Sequence, residues 1–384
     1  GSEMCIRDSY GGGQDPNAYG NTTDLNWMAG SQYVYSFGKC IFMPADLTAG
    51  IEFNQDKLED NMWGYHRTVD QKVNIGSAFF QNEWKNEHWG FLIGGRLDKH
   101  NLIDHVIFSP RANLRYNPTE NINLRFSYSS GFRAPQAFDE DLHVKNVGGN
   151  VAMVELADNL KEERSQSLSA SADIYHRFGA FQVNFLVEGF YTKLSDVFAL
   201  TDGEVVDGIL TRTRYNAPGA RVMGLTLEGK MAYLTKFQVQ AGVTLQQSHY
   251  SEPHVWNKEA PAVKKMMRTP NTYGYFTATY TPIKPLSIAL SGTYTGSMLV
   301  PHEPVPGFLE KPITVNTKDF FDIGLKAAYD FKLYKSMNLQ VNAGVQNIFN
   351  AYQNDFDKGA DRDSGYIYGP SLPRSFFAGV KISY

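Results

Sequence analysis

The run DFDKGADRDSG sets Asp355, Asp357, Asp361 and Asp363 at alternate positions around Gly359. Hard carboxylate oxygens spaced this way around a residue that permits a sharp turn make a donor set for Ca²⁺. The run lacks the Asp/Asn-Gly and distal Glu placement of an EF-hand, and Lys358 and Arg362 partly neutralise it. A solvated loop whose charges pair with one another is therefore the competing reading.

Other side chains carry chemistry in the same kind of setting. His143, His249, His254 and His302 fall in segments that read as connections, where a histidine could serve as an axial haem ligand, although no supporting motif brackets them. Tyr250, Trp256, Tyr352, Phe356, Tyr366 and Tyr368 could stack on an aromatic or macrocyclic ligand, or form an interfacial belt or loop packing. Lys264, Lys265 and Arg268 suit lipopolysaccharide phosphates or an anionic ligand, against the plainer reading of a solvated loop. Asp139, Asp141 and His143 are the nearest approach to a hydrolytic Ser, His and acid grouping, and no serine completes it compactly.

The elements that must position these groups are strands. Nowhere are there the roughly 18 consecutive apolar residues of a spanning helix, and mean hydropathy is -0.36. The 22 Tyr, 25 Phe and 34 Gly favour a large β architecture with aromatic girdles and close backbone packing. A net charge of -4 gives no support to nucleic-acid binding. Residues 1–10, GSEMCIRDSY, follow no strand pattern and read as a non-native scar, which leaves 11–384 as one barrel domain. Setting Cys5 aside leaves Cys40 without a partner for a disulfide or a cysteine metal site. No charged region followed by an apolar stretch and a cleavage site opens the chain, so truncation at the N-terminal side is expected.

Period-two alternation recurs throughout. Phe237, Val239, Ala241, Val243 and Leu245 alternate with Gln238, Gln240, Gly242, Thr244 and Gln246. At the C-terminus, Phe376, Ala378, Val380, Ile382 and Tyr384 share one side of an extended chain, an arrangement that can lay an apolar face on lipid and set an aromatic in the girdle. Fifteen strands are expected, near 25–37, 44–54, 69–83, 88–97, 105–116, 120–130, 163–177, 181–195, 221–233, 236–247, 270–281, 285–297, 319–331, 336–348 and 373–384. Tight turns fall at Asn117-Pro118, Phe178-Gly179, Pro282-Ile283 and Leu333-Tyr334, and long links at 131–162, 196–220, 248–269, 298–318 and 349–372. Alternating short and long connections point to an all-β, antiparallel transmembrane barrel with periplasmic turns and external loops. A Greek-key sandwich has no reason to sort its loops by length.

Two motifs carry a family resemblance. SYSSGFRAPQAFDEDLH, from Ser127 to His143, resembles the GFRAP-type motif of TonB-dependent outer-membrane receptors, and VQNIFNAYQ, from Val345 to Gln353, with the terminal strand, resembles that family's tail. The resemblance implies a barrel of about twenty-two strands around a plugged lumen, of which this chain would supply the C-terminal fifteen or so. It further implies an outer-membrane receptor, not an enzyme, for energy-coupled uptake of a scarce nutrient complex such as an iron siderophore, haem or a cobalamin. Its partners would be outer-membrane lipid and lipopolysaccharide, the nutrient complex, and the TonB complex acting through a plug absent from these residues. No cofactor is required, with loop calcium as the one candidate. Gly131, Phe132, Arg133, Ala134 and Pro135 are then either a lumen contact to plug or ligand, or a shaped strand end in which Gly131 permits a bend and Pro135 stops the ladder. Phe376, Val380, Ile382 and Tyr384 form the lipid side of the terminal strand. A passive porin and a barrel hydrolase are the rival readings.

Overall fold

The computed structural model describes residues 2–11, 19–136, 151–201, 203–206, 209–334, 336–359, 362–363, 365–370 and 372–384. Sixteen strands succeed one another in chain order: Ser2–Gly11, Tyr19–Cys40, Met43–Met62, Arg67–Lys85, Trp89–His100, Ile107–Thr119, Ile122–Arg133, Glu163–Phe178, Phe181–Ser195, Ala220–Tyr233, Phe237–His254, Thr272–Ile283, Leu286–Thr295, Phe320–Tyr334, Met337–Gln346 and Ser375–Ser383. Each pairs antiparallel with the next, giving one continuous meander. A three-residue strand, Val263–Lys265, adds to the external end of Phe237–His254. Among the described residues Ser2–Gly11 and Ser375–Ser383 each pair on one side only, so the sheet is open.

All fifteen expected strands are present, and the sixteenth is Ser2–Gly11, paired along its length with Tyr19–Met28. Backbone pairing needs no alternation of side chains, which is why the pattern of these ten residues left them out of the strand count.

The turns expected at Asn117-Pro118, Pro282-Ile283 and Leu333-Tyr334 fall about two residues later. Each of these ladders shifts register just before its turn, between Tyr116 and Thr119, Tyr280 and Ile283, and Lys332 and Tyr334. An inserted residue at a sheet rim lets pairing continue past the apparent stop. The Phe178-Gly179 turn stays in place, with Gly179 at φ 57° and Phe178 opposite Phe181. Left-handed backbone at that position matches the twist of the flanking strands, and glycine adopts it without steric cost.

Strand register sorts the two faces. On one, Leu124, Ala172, Val187, Leu227 and Val243 are successive cross-strand partners. The same apolar face runs through Leu290, Leu325, Val345 and Phe376 at the far edge. Its large side chains are exposed, with Phe376 at 78% and Val380 at 66%. Apolar area left in water costs about 25 cal/mol per Å², a penalty that disappears against hydrocarbon. The opposite face is polar and cross-linked: Arg96 reaches Glu52 and Asp98 at 2.7 Å each, and Lys230 pairs with Glu228 at 2.8 Å. Apolar outside and polar inside is the arrangement of a membrane barrel wall.

Candidate functional site at the external mouth

Tight turns lie on one rim, so the long links gather on the other. There they form structure of their own. Val197–Leu200, Glu204–Val206 and Ile209–Ala217 make a small antiparallel sheet, to which Val151–Leu156 adds in parallel. Leu299–His302 pairs with Ile313–Asn316 as a hairpin.

The GFRAP run ends the strand Ile122–Arg133. Its alternation sends neighbours to opposite faces. Phe132 packs on the buried cluster of Ile103, Ile107 and Ala134, and this anchors the link after Trp89–His100 to the strand end. Arg133, directly opposite Glu163, faces inward, with its guanidinium carbon 5.7 Å from the centre of the Phe198 ring. Arg214, 5% exposed, stands 5.9 Å from the same ring. Phe198 is fixed in turn by its backbone N–H, which donates to Glu163 at 2.9 Å. Gly131 lies opposite Ser165, whose hydroxyl would sit 3.3 Å from any added Cβ. Residues 137–143, with Asp139, Asp141 and His143, lie outside the described residues.

The acidic run is folded into the cap. Asp355 accepts the Tyr368 hydroxyl at 2.6 Å and the Tyr366 hydroxyl at 3.4 Å. Asp357 pairs with His302 at 2.8 Å and accepts the Asp363 backbone N–H at 3.1 Å. Asp363 accepts the backbone N–H groups of Glu303 at 2.9 Å and Gly365 at 2.8 Å. These three carboxylates serve different partners. Among the described residues no three His, Cys, Asp or Glu side chains gather as a metal site; Asp361 lies outside the described residues. The described donors therefore do not fit a Ca²⁺ cage. Burial and the adjacent Asp355 carboxylate push the Tyr366 and Tyr368 phenols above the usual tyrosine range.

The histidines separate. His302 stacks on Tyr366, ring centres 3.8 Å apart, above a small apolar cluster of Met298, Val300 and Tyr366. His254 lies against Tyr250 at 4.8 Å, and His249 sits on a strand opposite Arg221. The basic cluster separates too: Arg268 donates to the backbone carbonyls of Ile367, at 2.8 Å, and Gly365, whereas Lys265 stays on the added strand opposite His249. In the terminal strand, Phe376, Val380 and Ile382 take the apolar face opposite Val345, Val341 and Leu339, with Tyr384 fully exposed beyond them.

Glu303 is the residue that sequence reasoning did not single out. It meets Arg212 at 3.4 Å, accepts the Asn257 amide at 3.1 Å and donates its backbone N–H to Asp363. Four long links meet at this one side chain and its peptide. Gln353 has a similar part, donating to the Tyr366 carbonyl at 3.0 Å and accepting the Tyr368 N–H at 2.8 Å. Glu303 belongs to no motif, and Gln353 closes the VQNIFNAYQ run without having been given a role there. For Glu303 the sequence signal was its position within a link long enough to need internal support.

Known structures share the fold. The chain matches a ferric enterobactin receptor (PfeA) mutant from Pseudomonas aeruginosa with TM-score 0.69 at 18% identity, over 98% of this chain and 58% of that one. It matches the siderophore receptor PirA from Acinetobacter baumannii with TM-score 0.64 at 17% identity, over 94% and 55%. A third match is the ferric-catecholate import receptor Fiu from K12 E. coli, with TM-score 0.67 at 15% identity, over 98% and 59%. The chain thus spans a little over half the length of these receptors. No curated protein sequence matches it. The family model described as TonB dependent receptor-like, beta-barrel matches residues 6–348. With the sorted faces, the sorted rims and this match across most of its length, the chain belongs to the TonB-dependent receptor β-barrel family of the Gram-negative outer membrane.

Proposed function

We propose that these residues form the wall and external cap of an energy-coupled receptor that admits a ferric siderophore to the periplasm. The observation that carries the reading is the cap itself: long links on one rim, knitted through Glu303, over the end of a polar-faced sheet. A cap held by hydrogen bonds and ion pairs can rearrange around a bulky ligand while the strands below stay paired. Guanidinium groups beside an aromatic ring, as at Arg133, Phe198 and Arg214, suit an anionic complex built on aromatic oxygen donors. The related structures named above are receptors for ferric enterobactin, siderophores and ferric catecholates.

Coupling would come from a plug and a TonB-contact segment outside these 384 residues. The other lipid partner would be lipopolysaccharide of the outer leaflet. His302 is engaged by Asp357, which gives haem ligation through that residue no support. Family membership displaces the hydrolase and favours the coupled receptor over a passive porin.

The test is uptake of radiolabelled ferric complexes by cells expressing the receptor from its native reading frame, with and without the energy-coupling complex. Accumulation of a ferric siderophore only when that complex is present is the expected result. Equal accumulation in its absence would make the barrel a passive pore.

A further inference from the structure

Asp355, Tyr366 and Tyr368 bring their side-chain oxygens together in the cap. Both Asp355 carboxylate oxygens lie 2.6 Å from the Tyr368 hydroxyl, and one of them lies 3.4 Å from the Tyr366 hydroxyl. The two phenols also hydrogen-bond to each other, so each of the three groups adjoins the other two. Adjacent donors of an octahedral ion are about 2.8 Å apart when the metal–oxygen bonds are about 2.0 Å long. The observed separations fall on either side of that value, and three mutually adjacent oxygens make one face of an octahedron.

The ion that suits this face is ferric iron. Phenolate is an iron donor, as at the haem of catalase, and one carboxylate with two phenolates sets three negative charges against three positive ones. Ca²⁺ takes about six to eight oxygens at roughly 2.3–2.6 Å. It is also too weak a Lewis acid to displace protons from phenols held above their ordinary range.

The donors are held in place without being closed off. Tyr366 stacks on His302 with ring centres 3.8 Å apart, and its carbonyl accepts the Gln353 amide at 3.0 Å. The Tyr368 N–H donates to Gln353 at 2.8 Å. Asp355 is exposed, which leaves the other face of a bound ion open to a second set of oxygens. Arg268, donating to the Ile367 carbonyl at 2.8 Å, puts a positive charge beside the same turn, where an anionic chelator would sit.

We propose that Asp355, Tyr366 and Tyr368 bind ferric iron as a facial set of three oxygens, with its other positions kept by a small carboxylate chelator. Binding is ligand exchange without redox change: three iron–water bonds break, three iron–oxygen bonds to the protein form, and the two phenol protons pass to solvent. A siderophore that fills every position on the iron has none to give these oxygens, so this ligand is distinct from the one proposed for uptake.

The receptor, expressed from its native reading frame and extracted from outer membranes in mild detergent, would be titrated with ferric citrate and followed by visible absorption. Wild type should develop a phenolate-to-iron charge-transfer band whose resonance Raman spectrum carries tyrosinate ring modes. Tyr366→Phe and Tyr368→Phe should each keep a weaker band at a shifted energy, which a merely disordered cap would not produce, and the double variant should lose it. Asp355→Asn should keep the band but need about 100-fold more ferric citrate, the upper end of what lost support around a metal costs. A hexadentate ferric hydroxamate should give no band. Absence of the band in wild type overturns the proposal, as does a band that survives the double variant or one that the hexadentate chelate gives equally. The uptake assay needs no phenolate bond to iron, so the two readings stand or fall separately.

Discussion

His302 Nε2 lies 2.8 Å from Asp357 Oδ2, with the two side chains 6% and 5% exposed. The pair ties the Leu299–His302 strand to the acidic run, more than fifty residues on. Removing one member leaves a buried polar group without its partner, at a cost of about 1–3 kcal/mol. Asp357→Ala should therefore release the cap locally while the strands stay paired. Limited proteolysis should cut the variant within residues 349–372 at least several-fold faster than wild type, with unchanged heat-modifiable migration of the barrel. Equal cutting rates would show that the pair does not hold the cap.

The phenols of Tyr366 and Tyr368 predict an alkaline transition in the same place. Both hold their protons more tightly in the folded cap than the ordinary value of 10.0. A pKa raised on folding contributes stability that is fully present below that ordinary value and lost as pH rises towards the folded one. Proteolysis of the cap should be flat through neutral pH and rise only above about pH 10. Tyr368→Phe, which cannot ionise or donate to Asp355, should cut faster at neutral pH and show a smaller rise.

The strands were legible because a wall with one face on lipid repeats a simple pattern at every second residue. Phe237 to Gln246 shows it without reference to any other part of the chain. The cap has no such period. Ile209–Ala217 pairs in parallel with Val151–Leu156, more than fifty residues earlier, and nothing local to either segment marks the other. The same limit explains Asp355. Its spacing allowed either a cation or a self-paired loop, and Tyr366 and Tyr368, open to ligand stacking, an interfacial belt or loop packing, are groups that hydrogen-bond to it.

Gly344 should be intolerant of any side chain. A Cβ there would lie 2.4 Å from the Phe377 ring and 2.5 Å from the Leu325 carbonyl oxygen. Overpacking of this kind costs about 1–3 kcal/mol. Gly344→Ala should lower the temperature at which the assembled barrel loses its folded migration, and adding Phe377→Ala should restore only part of it. The ring contact is relieved by truncation, whereas the backbone oxygen of the neighbouring strand is not. Full rescue would assign the whole effect to the ring.

Glu303 is predicted to couple the links rather than to touch ligand chemistry. Arg212 and Asn257 both meet its carboxylate, and Arg212 is 16% exposed. Glu303→Ala leaves a largely buried guanidinium without this counter-charge, whereas Glu303→Gln keeps an acceptor of the same shape. Fluorescent probes on the 255–271 and 347–374 links should report greater separation or mobility in the Ala variant, with the Gln variant close to wild type. If Glu303→Ala left both probes unchanged while abolishing siderophore binding, the residue would be a direct ligand contact, and the cap would owe its cohesion to the His302, Tyr366 and Asp355 side instead.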